Sequence, residues 1–362
     1  MNKAILDQFA QLESQVDAEY LYSKIAGDPK LESKHGFRLD SVHKIIGILK
    51  KLKFEIKSVA DIEGIPGIGA GTKSRVKEIL DTGVLSELKN KYPPKIQKKI
   101  DDIRSLKQVI GIGPVGAKEL VLDHRIGSVE ELKKAIHDGK IKVSDTVKLG
   151  LKYYGLVEGA IPRKETAEIE TYLQQKASEI EPQLKVVICG SYRRGKPTSG
   201  DIDVLLYHPK MITFAEYEEP EKYGFRQYLE LFIERLSEDG FILDNLNYNF
   251  QHSYMGFSRY RKNPIRRLDM HIVPYESLAT SLLAHTGPFE LNALMRAIAK
   301  RRDMKLNEYG LFKINARGQQ IARIETPTEA DVFRALNLPP LAPDERESYS
   351  MGRTKKTKES LK

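Results

Sequence analysis

The chain of 362 residues contains one cysteine, Cys189, and no tryptophan. A single thiol excludes an internal disulfide and a cysteine-rich zinc site, and it suits a reducing compartment. No stretch approaches the roughly 18 consecutive apolar residues of a membrane span. The opening residues 1–7 carry no apolar signal core, so secretion is not expected. Hydrophobic residues make up 40% and charged residues 30%, the balance of a globular protein rather than a disordered or fibrous one. The length suggests two or three compact units. These exclusions leave an intracellular, soluble protein with no membrane partner.

What is present is positive charge. Lys and Arg number 59 against 50 Asp and Glu, a net of +9. Residues 1–160 hold 28 basic and 22 acidic side chains, residues 161–352 hold 26 and 27, and residues 353–362 hold 5 and 1. The excess therefore sits in the first half and in the tail. A positive surface on one module suits a polyanion such as nucleic acid, and equally a merely soluble basic domain.

Helical periodicity dominates residues 1–92, where Val42, Ile45, Ile46, Leu49 and Leu52 fall on one stripe. Pro93-Pro94 interrupts it, and a second helical block follows over about 95–155. A helix over about 163–180 leads into a short strand at Val186–Cys189. Further strands are expected at Ile202–Tyr207 and Leu268–Val273. Phe225, Tyr228, Leu229, Phe232, Ile233 and Leu236 form a helical stripe, and another helix covers about 288–302. The fold class is α+β: all-helical N-terminal domains, then a mixed sheet with helices, then a small α+β end.

The first half holds a weak repeat, IPGIGAGTKSRV (residues 65–76) and VIGIGPVGAKEL (residues 109–120). In each, two glycines (Gly67 and Gly69, Gly111 and Gly113) flank one apolar residue (Ile68, Ile112). Glycine takes positive φ at little cost, which permits a tight hairpin with the apolar residue plugged into the core. Amides at the start of the following helix are then free to meet a phosphate. Such helix-hairpin-helix units grip the DNA backbone without reading sequence. One alone would more often be an ordinary turn; two in a basic module favour DNA.

The chemistry concentrates in GSYRRGKPTSGDIDVLL (residues 190–206). Alternate residues of a strand share a face, so Asp201 and Asp203 point together. Paired carboxylates repel unless a cation lies between them, and Mg²⁺ is the hard, oxygen-seeking candidate. Gly190 and Ser191 end a strand and open a helix toward a phosphate, with Arg194 adding a permanent charge. Asp269 lies on its own strand, able to join the first two. Three aspartates on neighbouring strands can hold two metals for phosphoryl chemistry. A lone Asp-x-Asp is usually a solvated strand end, but here the Gly-Ser start and the arginine pair accompany it.

At these residues the chain resembles the family X DNA polymerases, the group of DNA polymerases beta and lambda, over about residues 10–350. Thr286-Gly287, Asn292, Arg296, LNEY (residues 306–309) and TEADVFRALNLP (residues 328–339) appear in family order. The resemblance implies a helical DNA-end-binding domain with the first hairpin (1–92) and a DNA-binding subdomain with the second (93–158). A catalytic palm (159–275), a nucleotide-selection subdomain (276–350) and a basic disordered tail (351–362) follow. It implies template-directed filling of short gaps in base excision repair, on gapped or nicked duplex DNA with dNTPs, by a monomer. Asp201 and Asp203 would bind both Mg²⁺ ions, for which Mn²⁺ can substitute, and Asp269 the catalytic one. Ser191, Arg194, Ser199, Gly200 and Lys148 would contact the triphosphate, and Asn292 the base pair's minor-groove edge. Arg267 would hold a primer phosphate, Arg296 the template, and Tyr309 the DNA. Carbonyls near Glu63, Ile65 and Ile68, and near Lys107, Val109 and Ile112, would bind Na⁺ or K⁺. The nucleus, or another site of DNA repair in a cellular or virus-encoded context, is the implied location.

Three departures stand out. Arg75 occupies the position of the Schiff-base lysine of the family's 5′-deoxyribose-phosphate lyases, and a guanidinium cannot attack as an amine. Lys73 or Lys77 would have to substitute, and Phe37 stands where a tyrosine is frequent. The aromatic pair before Thr286 is replaced by Ala284 and His285, with Pro288 following, which implies looser rejection of ribonucleotides. His271 replaces an arginine, and its plainer role is that of a satisfied strand histidine. Poly(A) polymerases, CCA-adding enzymes and small-molecule nucleotidyltransferases share the palm but lack paired hairpins. A template-independent terminal transferase is the nearer alternative, and a non-catalytic DNA-end-binding scaffold the remaining one.

Overall fold

A computed structural model describes residues 2–50, 52, 54–89 and 94–348. The 92/93 boundary and the basic tail at 351–362 lie outside the described residues. The chain forms two compact units that divide between Leu151 and Lys152. Among the described residues no helix is long and apolar enough to cross a membrane.

The first unit is helical. Helices α1 (Lys3–Ala26) and α2 (Pro29–Lys50) are joined through Gly27, whose φ of 68° closes α1 in a left-handed cap. Ile5, Phe9, Leu12 and Val16 of α1 meet Val42, Ile45, Ile46 and Leu49 of α2 at helical spacing, and α3 (Ala70–Thr82) adds Val76 and Ile79. Four more helices follow: α4 (Pro94–Leu106), α5 (Pro114–Leu122), α6 (Val129–His137) and α7 (Asp145–Tyr153). Pro94 opens α4 at the one helical position where a missing N–H costs nothing.

Two turns in this unit share one geometry. Ile68 N donates to Ile65 O at 3.1 Å, and Ile112 N donates to Val109 O at 3.0 Å. Gly67 and Gly111 have φ of 88° and 92°, the left-handed region where a side chain is strained. Gly69 and Gly113 are extended and cap α3 and α5, while Ile68 and Ile112 are buried. The repeat seen in the sequence is therefore a repeat in space. A 3-10 turn (Val59–Ile62) precedes the first hairpin and the full helix α4 precedes the second.

The second unit is built on a five-stranded sheet. After β1 (Ile161–Pro162), α8 (Arg163–Ile180), β2 (Lys185–Ile188), the single turn α9 (Gly190–Arg193) and β3 (Thr198–Ser199) come β4 (Ile202–Tyr207) and the short α10 (Phe214–Glu218). Helix α11 (Tyr228–Glu238), β5 (Ile242–Asn245), β6 (Ser253–Ser258) and β7 (Arg266–Val273) complete this part. The sheet order is β2-β4-β7-β6-β5, with β4 and β7 parallel and every other neighbour antiparallel. One face packs Val204, Leu206, Leu268 and Met270 against Leu173 of α8 and Phe232 of α11. The other carries Leu205 and Val273 beneath Leu278 and Leu282 of α12 (Leu278–Thr286). Then come α13 (Phe289–Lys300), a three-stranded meander of β8 (Met304–Asn307), β9 (Gly310–Ile314) and β10 (Gln320–Ile324), α14 (Glu329–Ala335) and a 3-10 turn (Pro343–Ser348).

One sequence expectation shifts. Helix α11 begins at Tyr228 rather than Phe225, because Gly224 (φ 82°) turns the chain and Phe225 N bonds back to Pro220 O at 2.9 Å. Tyr153 stacks on Phe257 at 4.0 Å between ring centroids, and its hydroxyl bonds Asp244 at 2.5 Å.

Candidate active site

Burial alternates along β7. Leu268, Met270 and Ile272 face the core, and Arg267, Asp269 and His271 face the other way. Each buried apolar side chain contributes about 1.5–3 kcal/mol. A one-residue slip would exchange the two faces, so apolar burial is what holds the carboxylate in place. In the parallel pairing Asp203 of β4 stands opposite Asp269. With Asp201 just ahead of β4, the three carboxylates bring oxygens within 4.8 Å of one another.

Their repulsion appears in their protonation. Burial, then the charges of Asp201 and Asp269, push the Asp203 carboxyl up to about 7. Burial and Asp269 raise Asp201 as well. Arg267 opposes both, and its Nη2 donates to Asp269 Oδ1 at 2.8 Å. Arg194 adds to Arg267 at Asp203, yet two guanidiniums leave three converging carboxylates under-compensated, and an all-oxygen donor set of this kind fits a hard divalent cation.

Glycine at 190 is dictated twice. Its φ is 55°, and a Cβ there would lie 2.1 Å from Asp203 Oδ2. Beyond it, α9 projects Arg193 and Arg194 toward the last third of the chain. Arg193 forms a two-pronged pair with Glu329 at 3.0 and 2.7 Å and donates to Thr286 Oγ1 at 2.7 Å. Arg194 donates from Nε to Glu347 at 3.0 Å and from Nη1 to Thr286 O at 2.5 Å. Lys196 pairs with the same Glu347. Ser191 lies on α9 and Gly200 is exposed, whereas Ser199 is buried with its Oγ unpartnered.

The remaining sequence candidates are more dispersed. Asn292 on α13 donates its amide to Ala284 O at 2.7 Å, and Arg296 reaches Glu308 at 3.8 Å. Tyr309 stands edge-on to Phe214. His271 packs on His285 with ring centroids 4.5 Å apart, and burial depresses the basicity of both, His285 to about 4. His271 is thus a packed strand histidine. Lys148 lies in the first unit, on α7, with its Nζ 2.8 Å from Asp145.

Around the expected lyase position in the first unit, Arg75 and Lys73 are each paired. Arg75 grips Glu87 through Nε and Nη2, a contact that keeps its guanidinium protonated. Arg38 joins the same carboxylate at 2.9 Å. Lys73 Nζ lies 2.8 Å from Glu63, while Lys77 and Phe37 are exposed. The carbonyls of Ile65 and Val109 each accept one amide of their hairpin, which leaves a second lone pair on each.

Lys196, Glu347 and the buried Arg266 escaped the sequence reading. The signal for Lys196 was its place inside the 190–206 block. Glu347 carried none, since 153 residues separate it from Arg194.

The family model described as DNA polymerase beta palm matches residues 160–275, and that described as DNA polymerase beta thumb matches residues 281–347, half of the chain together. The chain is 31% identical over 324 residues to DNA polymerase lambda of Arabidopsis thaliana, covering 84% of this chain and 57% of that protein. Against DNA polymerase lambda of Rattus norvegicus it is 32% identical over 318 residues, covering 84% and 51%. Against DNA nucleotidylexotransferase of Bos taurus identity is 26% over 324 residues, covering 83% and 61%. The chain spans about half the length of the curated relatives it matches. All three aspartates fall within the palm match, and α9 lies beside them with its arginines. The chain belongs to family X of the DNA polymerases.

Proposed function

We propose that the chain is a DNA-directed DNA polymerase that fills short gaps by nucleotidyl transfer from dNTPs to a primer 3′-hydroxyl, as in base excision repair in the nucleus. The observation that carries this reading is the convergence of Asp201, Asp203 and Asp269 beside the cations of the 190–196 segment. Two Mg²⁺ ions, with Mn²⁺ as a substitute, would be held by Asp201 and Asp203, with Asp269 completing the shell on the primer side. The chemistry they would supply there is a more acidic 3′-hydroxyl and compensation of the charge on the triphosphate and the departing pyrophosphate. Arg194 and Lys196 neutralise the polyphosphate, joined by Ser191 and Gly200. Arg267 exchanges Asp269 for a primer phosphate, and Asn292, Arg296 and Tyr309 meet the nascent pair and the template. The two hairpins hold the DNA backbone, with Na⁺ or K⁺ at the carbonyls of Glu63, Ile65, Ile68, Lys107, Val109 and Ile112.

A one-nucleotide gapped duplex with dNTPs and Mg²⁺ tests this directly: the primer gains one residue, and EDTA stops it. No extension under these conditions would refute the reading.

Gly190→Ala is expected to displace the Asp203 carboxylate and slow single-turnover extension about 10²-fold, the cost of misplacing a reacting group by about 1 Å. An unchanged rate would separate Gly190 from the carboxylate geometry.

Lyase chemistry is not part of the proposal. Arg75 is held by Glu87 and Lys73 by Glu63. Borohydride is therefore expected to trap no adduct with a 5′-deoxyribose phosphate. Trapping that disappears in Lys77→Ala would reverse that conclusion and name the nucleophile.

A further inference from the structure

Around α9 two cations share one carboxylate. Arg194 Nε donates to Glu347 Oε1 at 3.0 Å, and Lys196 Nζ pairs with Oε2. Each oxygen of Glu347 thus holds a different cation, the pattern by which two oxygens of a phosphate would bridge the same pair. The second arm of Arg194 is fixed on Thr286 O. Side-chain exposure is 15% at Arg194 and 31% at Glu347, so the contact is sheltered enough to matter yet open enough to be exchanged.

The segment that delivers Glu347 is anchored one residue earlier. Arg346 is 1% exposed and bonds Glu329 at 2.9 Å, with its guanidinium over the Phe333 ring. Gly195 closes against the same turn, since a Cβ there would stand 3.7 Å from Asp344 Cβ. Glu347 is therefore presented to the cations by a buried anchor, while its own two contacts are replaceable.

We propose that Glu347 is an internal competitor for the nucleotide's polyphosphate: it fills the Arg194–Lys196 pair in the nucleotide-free protein and is displaced when a triphosphate binds. The inference rests on the reading of Arg194 and Lys196 as polyphosphate ligands. A triphosphate brings several negative oxygens to both cations and overcomes one carboxylate, whereas a monophosphate has less to offer. Glu347 thereby favours triphosphates over shorter phosphates and weakens all of them. A competitor in place nine-tenths of the time lowers apparent affinity about tenfold.

The test is calorimetric titration of the full chain with inorganic tripolyphosphate. Glu347→Gln and Glu347→Ala are each expected to bind it about tenfold more tightly than the wild type. Equal or weaker binding by both overturns the proposal; weaker binding is what a carboxylate that merely positions the cations would give. Arg194→Ala combined with Lys196→Ala separates the two levels. If that double variant keeps wild-type affinity, the polyphosphate reading itself falls. If it loses affinity while the Glu347 variants match the wild type, the internal competitor alone falls.

Discussion

Asp269→Ala is expected to reduce nucleotide incorporation by at least about 10³-fold while leaving affinity for gapped duplex DNA within about threefold of the wild type. The physical basis is the location of the residue. Asp269 sits on the outward face of β7, opposite Asp203 and next to Arg267, and contributes nothing to the apolar core below. Removing it takes away one of three convergent oxygen donors and frees Arg267, without opening a cavity. The fold and the helical unit should therefore be untouched, and the loss should fall on turnover rather than on binding. Asp269→Asn keeps the shape and is expected to fail in the same way, because an amide oxygen carries no charge for a divalent ion. Fluorescence anisotropy on a labelled gapped duplex, beside single-turnover extension, separates the two effects. Surviving turnover in either variant would remove Asp269 from the site.

Arg266→Met should produce the largest loss of stability. Arg266 is 3% exposed and forms a two-pronged pair with Glu165 at 2.9 and 2.7 Å, and its third nitrogen donates to Glu158 O at 2.7 Å. The pair ties β7 to α8 behind the carboxylates. Breaking one side of a buried pair leaves the other charge stranded and costs about 3–5 kcal/mol. At about 2–4 °C per kcal/mol for a unit of this size, the melting temperature should fall by about 6–20 °C. The pair itself is not the main source of stability, since its desolvation offsets much of its attraction. Replacing both partners, Arg266→Met with Glu165→Leu, is therefore expected to recover most of the loss. A double variant no better than the single one would show that the contact to Glu158 O dominates instead.

Much of the site could be read from the sequence because it rests on local spacing. Asp203 on a strand with Asp201 two residues earlier at its start, and Gly67/Gly69 and Gly111/Gly113 around one buried isoleucine, are geometric statements that a linear pattern contains. Asp269 was recognisable because its strand alternates. What the sequence did not yield depends on distance along the chain. Arg266 and Glu165 lie 101 residues apart, and Arg193 and Glu329 lie 136 apart. Charged residues of these types are ordinarily solvated, so nothing local marks them as buried or paired. Strand β6 was missed for a different reason. It contains Gly256, a residue that argues against a strand, and a Cβ there would stand 2.0 Å from the Tyr254 hydroxyl. The glycine makes room for a neighbouring tyrosine, which only the folded sheet reveals.

Template direction is the central claim, and it also divides this chain from the terminal-transferase activity that the bovine relative's name describes. The most direct measurement uses four gapped duplexes that differ only in the templating base, each offered all four dNTPs with Mg²⁺, beside a single-stranded primer alone. The expected result is addition of the complementary nucleotide in each gap and no extension of the single strand. Addition that ignores the templating base, or extension of the single strand as fast as of the gap, would contradict it.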